Sequence, residues 1–401
     1  MAAKPSRSLL KTGEGSSGTR QDRPVAEKHG ADAAVLGGME AMARSAAHHR
    51  DDPVDSAGEC RLLHQHRSKI GQRPQGHIVQ LAGPQGLLQC RVRECHGDLH
   101  LANVLQLAGE ATAFDCIEFD ADLRWIDVLD DIAFLAMDLL ANGRRDLAFR
   151  FINACLAAGG DYDGLPLLRH GMVCRALVRA RVTALSQKQG THSVARCGQH
   201  DYLALASALS CSVDARLAIT HGLPGSGKSF AAQGVVEAAG AISVRSDVER
   251  KRLFGLGARQ SSRGHVPGGI YDLAATQRTY SRLREIATAA LAAGWPVVVD
   301  AAFLLRSERE AFSAVAASRC VPFTVLDCQA EQPLLRQRLA QRQVDGVDAS
   351  EADAAVLDRL TAVDEPLAAA ERAAAIVVDA AQRLPPATLA RRWLAAPASV
   401  R

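Results

Sequence analysis

Leu217-Ala-Ile-Thr-His221-Gly222-Leu-Pro-Gly225-Ser226-Gly227-Lys228-Ser229-Phe230 is the stretch that decides how this 401-residue chain is organised. Leu217–Thr220 is short, apolar and β-branched, which predicts a strand. Phe230–Ala239 has helical composition and length. Between them, Gly222–Ser229 spells G-x-x-x-x-G-K-[ST], the pattern that turns backbone N–H groups inward around phosphate oxygens. Gly222, Gly225 and Gly227 allow that turn without Cβ clashes. The following helix amino terminus adds positive potential, and Ser226 supplies one more loop N–H. Lys228 is placed to neutralise the outer phosphates, and the Ser229 hydroxyl to ligate Mg²⁺. Only seven of the 47 basic residues are lysines, so one inside a glycine loop stands out. The expected cofactors are ATP and Mg²⁺.

Beyond this loop, strand-like runs recur at Ile242–Arg245, Val297–Asp300, Phe323–Asp327 and Ile376–Asp379, separated by helix-length segments. With Leu217–Thr220 they predict an α/β P-loop NTPase domain over residues 214–401. Its five-stranded parallel sheet is expected to be covered by helices on both faces. Asp247 follows the second strand, where a carboxylate accepts a proton from a substrate hydroxyl. Asp300 ends the third strand, in a position to orient a metal. Arg336, Arg338 and Arg342 lie on a helical stretch leading into the loop 343–350, as arginines of a closing lid do.

These residues carry a resemblance. Segment 222–379 is similar to the small P-loop kinases that include gluconate kinase, chloramphenicol phosphotransferase and the zeta toxins. More closely, it resembles the ATP-binding half of bacterial bifunctional aminoglycoside phosphotransferase/ATP-binding proteins. The supporting runs are Ser246–Arg252, Gly269-Ile270-Tyr271, Thr279–Leu283, Val298–Leu304, Ala349–Asp353 and Glu365-Pro366-Leu367. The resemblance implies Asp247 as the substrate-side base and Arg336 to Arg342 as the lid.

Upstream, His96-Gly97-Asp98-Leu99-His100-Leu101-Ala102-Asn103 gives H-G-D-x-x-x-x-N, with Asp115 twelve residues later. Protein kinases and aminoglycoside phosphotransferases space a catalytic Asp, a metal-binding Asn and a second metal-binding Asp in this way. Asp98, Asn103 and Asp115 fit those roles. The continuation Leu123–Asp127 and Asp130–Leu135 resembles the same bifunctional family, with Asp131 expected to brace the catalytic loop rather than catalyse. Helices are expected over 126–140 and 167–185. Residues 91–210 therefore read as a mainly helical, kinase-like carboxyl-terminal lobe. Roughly 90 residues precede His96, too few for a full amino-terminal lobe, so that lobe is expected to be missing or degenerate. Lys28 and Lys69 are poor substitutes for its phosphate-binding lysine.

Residues 1–90 show no sustained period and read as a poorly ordered leader, with one short helix expected over 33–47. Gly13-Glu14-Gly15-Ser16-Ser17-Gly18 spells G-x-G-x-x-G without a preceding strand and reads as tail. His48, His49, His64 and His66 lack partner ligands at metal spacing and read as solvated.

Composition sets the outer bounds. Apolar residues at 48 % exclude a wholly disordered chain, and a net charge of +3 provides no field for nucleic acid or anionic lipid. Aromatic residues at 4 % argue against base-stacking platforms. The ten cysteines form no C-x-x-C pair, so they read as reduced thiols of a cytoplasmic protein. Neither a signal peptide nor a membrane span is expected. The reading is an ATP-dependent phosphotransferase acting on a small-molecule hydroxyl. Its rivals are a nucleotide-sensing regulator with little turnover and a nucleic-acid 5′-hydroxyl kinase. The acceptor and the oligomeric state are not encoded in any readable motif.

Overall fold

A computed structural model describes residues 92–107, 110–188, 200–211, 215–262, 269–345, 349–381 and 384–396. The expectations for 33–47, Gly13–Gly18, Lys28, Lys69 and the four early histidines lie outside these residues. The first strands are short: β1 (Val92–Glu94), β2 (Val104–Leu107), β3 (Glu110–Ala113) and β4 (Trp125–Asp127). They form two antiparallel pairs, β1–β4 and β2–β3. Four helices follow: α1 (Val128–Ala141), α2 (Arg145–Gly159), α3 (Leu165–Lys188) and α4 (Tyr202–Ser210). Helix α1 begins two residues later than its apolar spacing predicts. Asp127 is extended and caps the helix instead, accepting a hydrogen bond from Leu129 N at 2.9 Å.

The second half is an α/β domain built on a parallel sheet. Its elements are β5 (Leu217–His221), α5 (Lys228–Ala239), β6 (Ile242–Arg245), α6 (Ser246–Leu253), α7 (Leu273–Ala292) and β7 (Val297–Asp300). Then come α8 (Arg306–Ser318), β8 (Phe323–Gln329), α9 (Gln332–Asp345), α10 (Ala354–Ala362), α11 (Ala369–Ala374), β9 (Ile376–Asp379) and α12 (Pro386–Ala395). All five strands pair in parallel, in the order β6-β7-β5-β8-β9. Both faces are covered, which is why the strands read as continuous apolar runs. Ala218, Val298 and Leu326 pack on α5 and α12, around the buried Trp393. Leu217, Ile219, Val297 and Val299 face the other way, onto α7 and α8. The chain leaves β5 toward β6 on one side and later returns to add β8 on the other. That reversal opens a crevice at the carboxyl end of β5, where the glycine loop starts.

The helical half packs directly on this sheet, and its core is continuous with that of the α7 side. Arg150 of α2 makes a bidentate pair with Glu237 of α5 at 2.6 and 2.7 Å. Trp295 donates to Leu165 O at 3.1 Å and lies under the Arg169 guanidinium. Asn153 does what a further strand would do. Its amide donates to Ala241 O at 2.9 Å and accepts from Ser243 N at 2.6 Å, satisfying the open edge of β6. Replacing Asn153 with alanine strands backbone groups of the buried Ala241 and the half-buried Ser243. The expected loss is about 2 kcal/mol in the denaturant midpoint analysis. An unchanged midpoint would show that the edge finds other partners.

Candidate functional site

At the carboxyl end of β5 the chain turns through Gly222 (φ 134°), Gly225 (φ 86°) and Gly227 (φ 95°). Space as well as conformation demands glycine at the first two. A Cβ on Gly222 would run into the Cys328 carbonyl oxygen, and one on Gly225 would sit 3.0 Å from Leu335 O. Helix α5 begins at Lys228, two residues earlier than its composition suggested, behind the left-handed Gly227. Its free N–H groups therefore point into the loop. Lys228 Nζ donates to Leu223 O at 2.8 Å, and its ammonium lies within the loop. Burial lowers its pKa, while the negative charges of Asp300 and Asp247 pull it back up. Ser229, the next residue, stands half-buried in the first turn.

Three predicted residues thus share one field: Lys228, Asp247 and Asp300. Asp300 ends β7, is 5 % exposed, and lies 3.4 Å from Arg245 Nε. Asp247 sits in the first turn of α6, just past β6. Its charge also bears on Tyr271, whose phenol is pushed up first by burial and then by that carboxylate. The Arg250 guanidinium lies 5.1 Å from the Tyr271 ring.

The arginines of α9 do not act together. Arg338 Nη1 donates to Gly225 O at 3.0 Å, and the charge of Arg342 acts on Lys228. Arg336 instead pairs with Asp358 of α10 at 2.7 Å, with both groups largely exposed. Two residues along a helix are about 200° apart, so Arg336 and Arg338 leave opposite sides of α9. Of the three arginines expected in a lid, Arg336 fastens α9 to α10, while Arg338 and the charge of Arg342 reach the glycine loop and its lysine.

A further tie was not legible in the sequence. Lys251 is 1 % exposed, and its Nζ lies 3.1 Å from Glu351 Oε1. Glu351 also accepts from Ser262 N and Oγ at 2.8 and 2.6 Å. Burial works to raise the Glu351 pKa, but these hydrogen bonds and the lysine hold it below its ordinary value. The pair joins α6 to the segment entering α10, 100 positions further along the chain. Another missed group is His221, whose Nδ1 lies 2.8 Å from Asp327 Oδ1.

The second constellation is a braced loop. Asp131, buried in α1, accepts from His96 N at 2.6 Å and Gly97 N at 3.0 Å. Asp138, two turns further along the same helix face, accepts from Leu101 N at 2.9 Å and the Tyr202 hydroxyl at 3.1 Å. Within the loop, Asn103 Nδ2 donates to Asp98 O and Oδ2 at 3.0 and 3.2 Å. The His100 ring lies 3.5 Å from the same carboxylate, and a hydrogen bond from it is the main reason the Asp98 pKa is lowered. Asp115 is exposed and held at φ 59°, outside the Asp98–Asn103 contacts. Asp138 and His100 are contributors that the H-G-D-x-x-x-x-N pattern did not disclose.

Residues 217–367 match the family model described as an AAA domain. The stretch runs from the first residue of β5 to the turn before α11. Uncharacterized proteins of Mycobacterium tuberculosis and Mycobacterium bovis are 31 % identical to this chain over 288 residues, 70 % of its length. The chain spans 58 % of the length of these relatives. Among solved structures, a sugar kinase from Janibacter aligns over 46 % of this chain and 97 % of its own, at 22 % identity and TM-score 0.34. A gluconokinase from Sinorhizobium meliloti covers 46 % and 92 %, at 21 % and 0.32. The APS kinase of Mycobacterium tuberculosis covers 45 % and 95 %, at 18 % and 0.32. Among the described residues no helix is long and apolar enough to cross a membrane, and no group of three or more His, Cys, Asp or Glu is placed to hold a metal.

Proposed function

We propose that the chain is an ATP-dependent phosphotransferase that moves the γ-phosphate to a hydroxyl of a small molecule in the cytoplasm, through its P-loop half. The observation that carries this reading is the common field of Lys228, Asp247 and Asp300 at the mouth of the glycine loop. A loop built only to bind nucleotide needs the lysine. A carboxylate at Asp247, near enough for its charge to act on that lysine, adds a base for an acceptor.

The residues present fit ATP and Mg²⁺. Gly222 and Gly225 let the loop turn where a side chain would strike Cys328 O or Leu335 O, helix α5 points its N–H groups into the loop, and Asp300 is a buried carboxylate whose charge acts on Lys228. Ser229 and Asp300 would hold the metal, which when bound neutralises charge on the β- and γ-oxygens. The loop N–H groups of Gly225 and Gly227 and the Lys228 ammonium position the phosphates, while the Ser226 N–H is turned onto Leu223 O at 3.2 Å. Asp247 takes the acceptor's proton as that oxygen bonds to the γ-phosphorus and the bond to ADP breaks. Arg338 and Arg342 counter the charge spreading over the transferring oxygens.

In the helical half, Asp98, Asn103 and Asp115 are assigned by resemblance to an aminoglycoside-phosphotransferase-like catalytic loop. Asp98 faces an acceptor, and Asn103 and Asp115 are its metal ligands. The bracing of that loop by Asp131 and Asp138 supports the assignment. The test is ADP release from purified protein with and without a panel of sugars, amino sugars and nucleosides. Release that rises with one hydroxyl compound is expected. Tight ATP binding with no acceptor-dependent release would favour the sensor instead, and labelling of an oligonucleotide 5′-hydroxyl would favour the nucleic-acid kinase.

A further inference from the structure

Helices α9 and α10 form a small body of their own. Leu335 and Leu339 of α9 pack on Ala352 and on Leu357 of α10, in an apolar cluster separate from the two that cover the sheet. Arg336 clamps the same two helices from outside, on Asp358 at 2.7 Å. This body carries Arg338 and Arg342, which bear on the glycine loop and its lysine. Helix α6 carries the candidate base, Asp247. Transfer needs both sets of groups brought to one phosphoryl group in a fixed geometry.

Lys251 and Glu351 join the two. Lys251 follows Asp247 by four positions, so both leave the same face of α6, one turn apart. Its Nζ, on a side chain 1 % exposed, lies 3.1 Å from Glu351 Oε1. Glu351 immediately precedes Ala352 of the α9–α10 cluster, and Ser262 fixes the direction of its carboxylate through N and Oγ. Tyr271 marks how near this pair is to the base. Burial pushes its phenol pKa up, and the charges of Asp247 and Glu351 both add to that.

Stability does not account for the pair. Dehydrating two charges offsets most of what their attraction returns, and apolar residues in place of a buried ion pair often leave a protein equally stable. Nor is the pair needed to seat α6. Arg250 Nη1 reaches Ile270 O at 3.0 Å and Thr276 Oγ1 at 3.1 Å, and Arg252 donates to Ala157 O of the helical half. What Lys251 and Glu351 add is a fixed register between α6 and the α9–α10 body.

We propose that Lys251 and Glu351 are positioning residues for phosphoryl transfer: their ion pair sets the α9–α10 body against α6, so that Arg338 and Arg342 meet the transferring phosphoryl group together with Asp247. This inference rests on the phosphotransferase reading of the P-loop half. Both residues act through the groups they place.

The test uses the full chain carrying Lys251→Met, Glu351→Gln, or both. Each is assayed for ADP release with ATP, Mg²⁺ and the panel of sugars, amino sugars and nucleosides. Methionine keeps the apolar stem of lysine, and glutamine keeps an oxygen for Ser262 N. For Lys251→Met, kcat should fall by about 10- to 100-fold, the effect of misplacing reacting groups by around 1 Å. Its calorimetric ATP affinity and melting temperature should stay native. Glu351→Gln should lower kcat to a similar degree, and the double variant no further, because both single changes break one contact. If Lys251→Met does not fold, Glu351→Gln is read alone at a temperature where it is fully folded, and native kcat there overturns the inference. Four other results overturn it while native release stands: native kcat in Lys251→Met, falls that multiply in the double variant, ATP affinity lost alongside kcat, or a lower kcat that comes with a lower melting temperature in Lys251→Met. No acceptor-dependent release from the native chain overturns the phosphotransferase reading, and this inference with it.

Discussion

Lys228→Met should lower phosphoryl-transfer turnover by about 10²- to 10³-fold, the size of effect seen when one fixed charge aimed at a reacting oxyanion is lost. Methionine keeps the length and apolar stem of lysine, so the α5 start and the Gly222–Gly227 turns should survive and the melting curve should not move. What disappears is an ammonium held inside the loop by Leu223 O and flanked by the charges of Asp300 and Asp247. Without it, those two carboxylates face the incoming phosphates alone. Like charges then repel in a partly dehydrated crevice, where Coulomb terms exceed their values in water. ATP affinity should fall together with turnover. A variant that keeps native turnover would mean that the phosphates do not lie in this loop.

Asp247→Asn is the complementary case. Asparagine has the shape of aspartate and cannot accept a proton, so turnover should fall by roughly 10²- to 10⁴-fold, the usual contribution of a general base. ATP binding should change little, because the loop N–H groups and Lys228 remain. Removing one negative charge near Lys228 should, if anything, tighten it slightly. Acceptor-dependent ADP release and calorimetric ATP affinity measured on the same preparation separate the two effects. Loss of both in parallel would place Asp247 in nucleotide binding, and loss of neither would place the base elsewhere.

The five strands of the sheet were legible because burial on both faces leaves uninterrupted apolar runs. Three of them begin and end where the sequence put them; β5 runs one residue further, to His221, and β8 two further, to Gln329. The glycine loop was legible for a local reason as well, since its conformational demands fall on neighbouring residues. Asp131 was read as a brace, and the structure shows it holding His96 and Gly97 through their N–H groups. Contacts between distant residues left no such trace. Asn153 sealing the β6 edge, Lys251 paired with Glu351, and His221 between Asp327 and Asp364 each join residues about 90 to 140 positions apart. No local period encodes them. The α9 arginines show a different limit: a helix gives no common direction to residues two apart, so Arg336 meets Asp358 while Arg338 meets Gly225 O.

Phosphoryl transfer by this chain requires that the glycine loop enclose a triphosphate and that Lys228 complete the enclosure. Calorimetric titration of ATP with Mg²⁺ into the native chain and into Lys228→Met, side by side, tests this directly. Saturable binding by the native chain that weakens at least tenfold in the variant is the predicted result. No heat of binding from the native chain, or equal affinity in the two proteins, would contradict it.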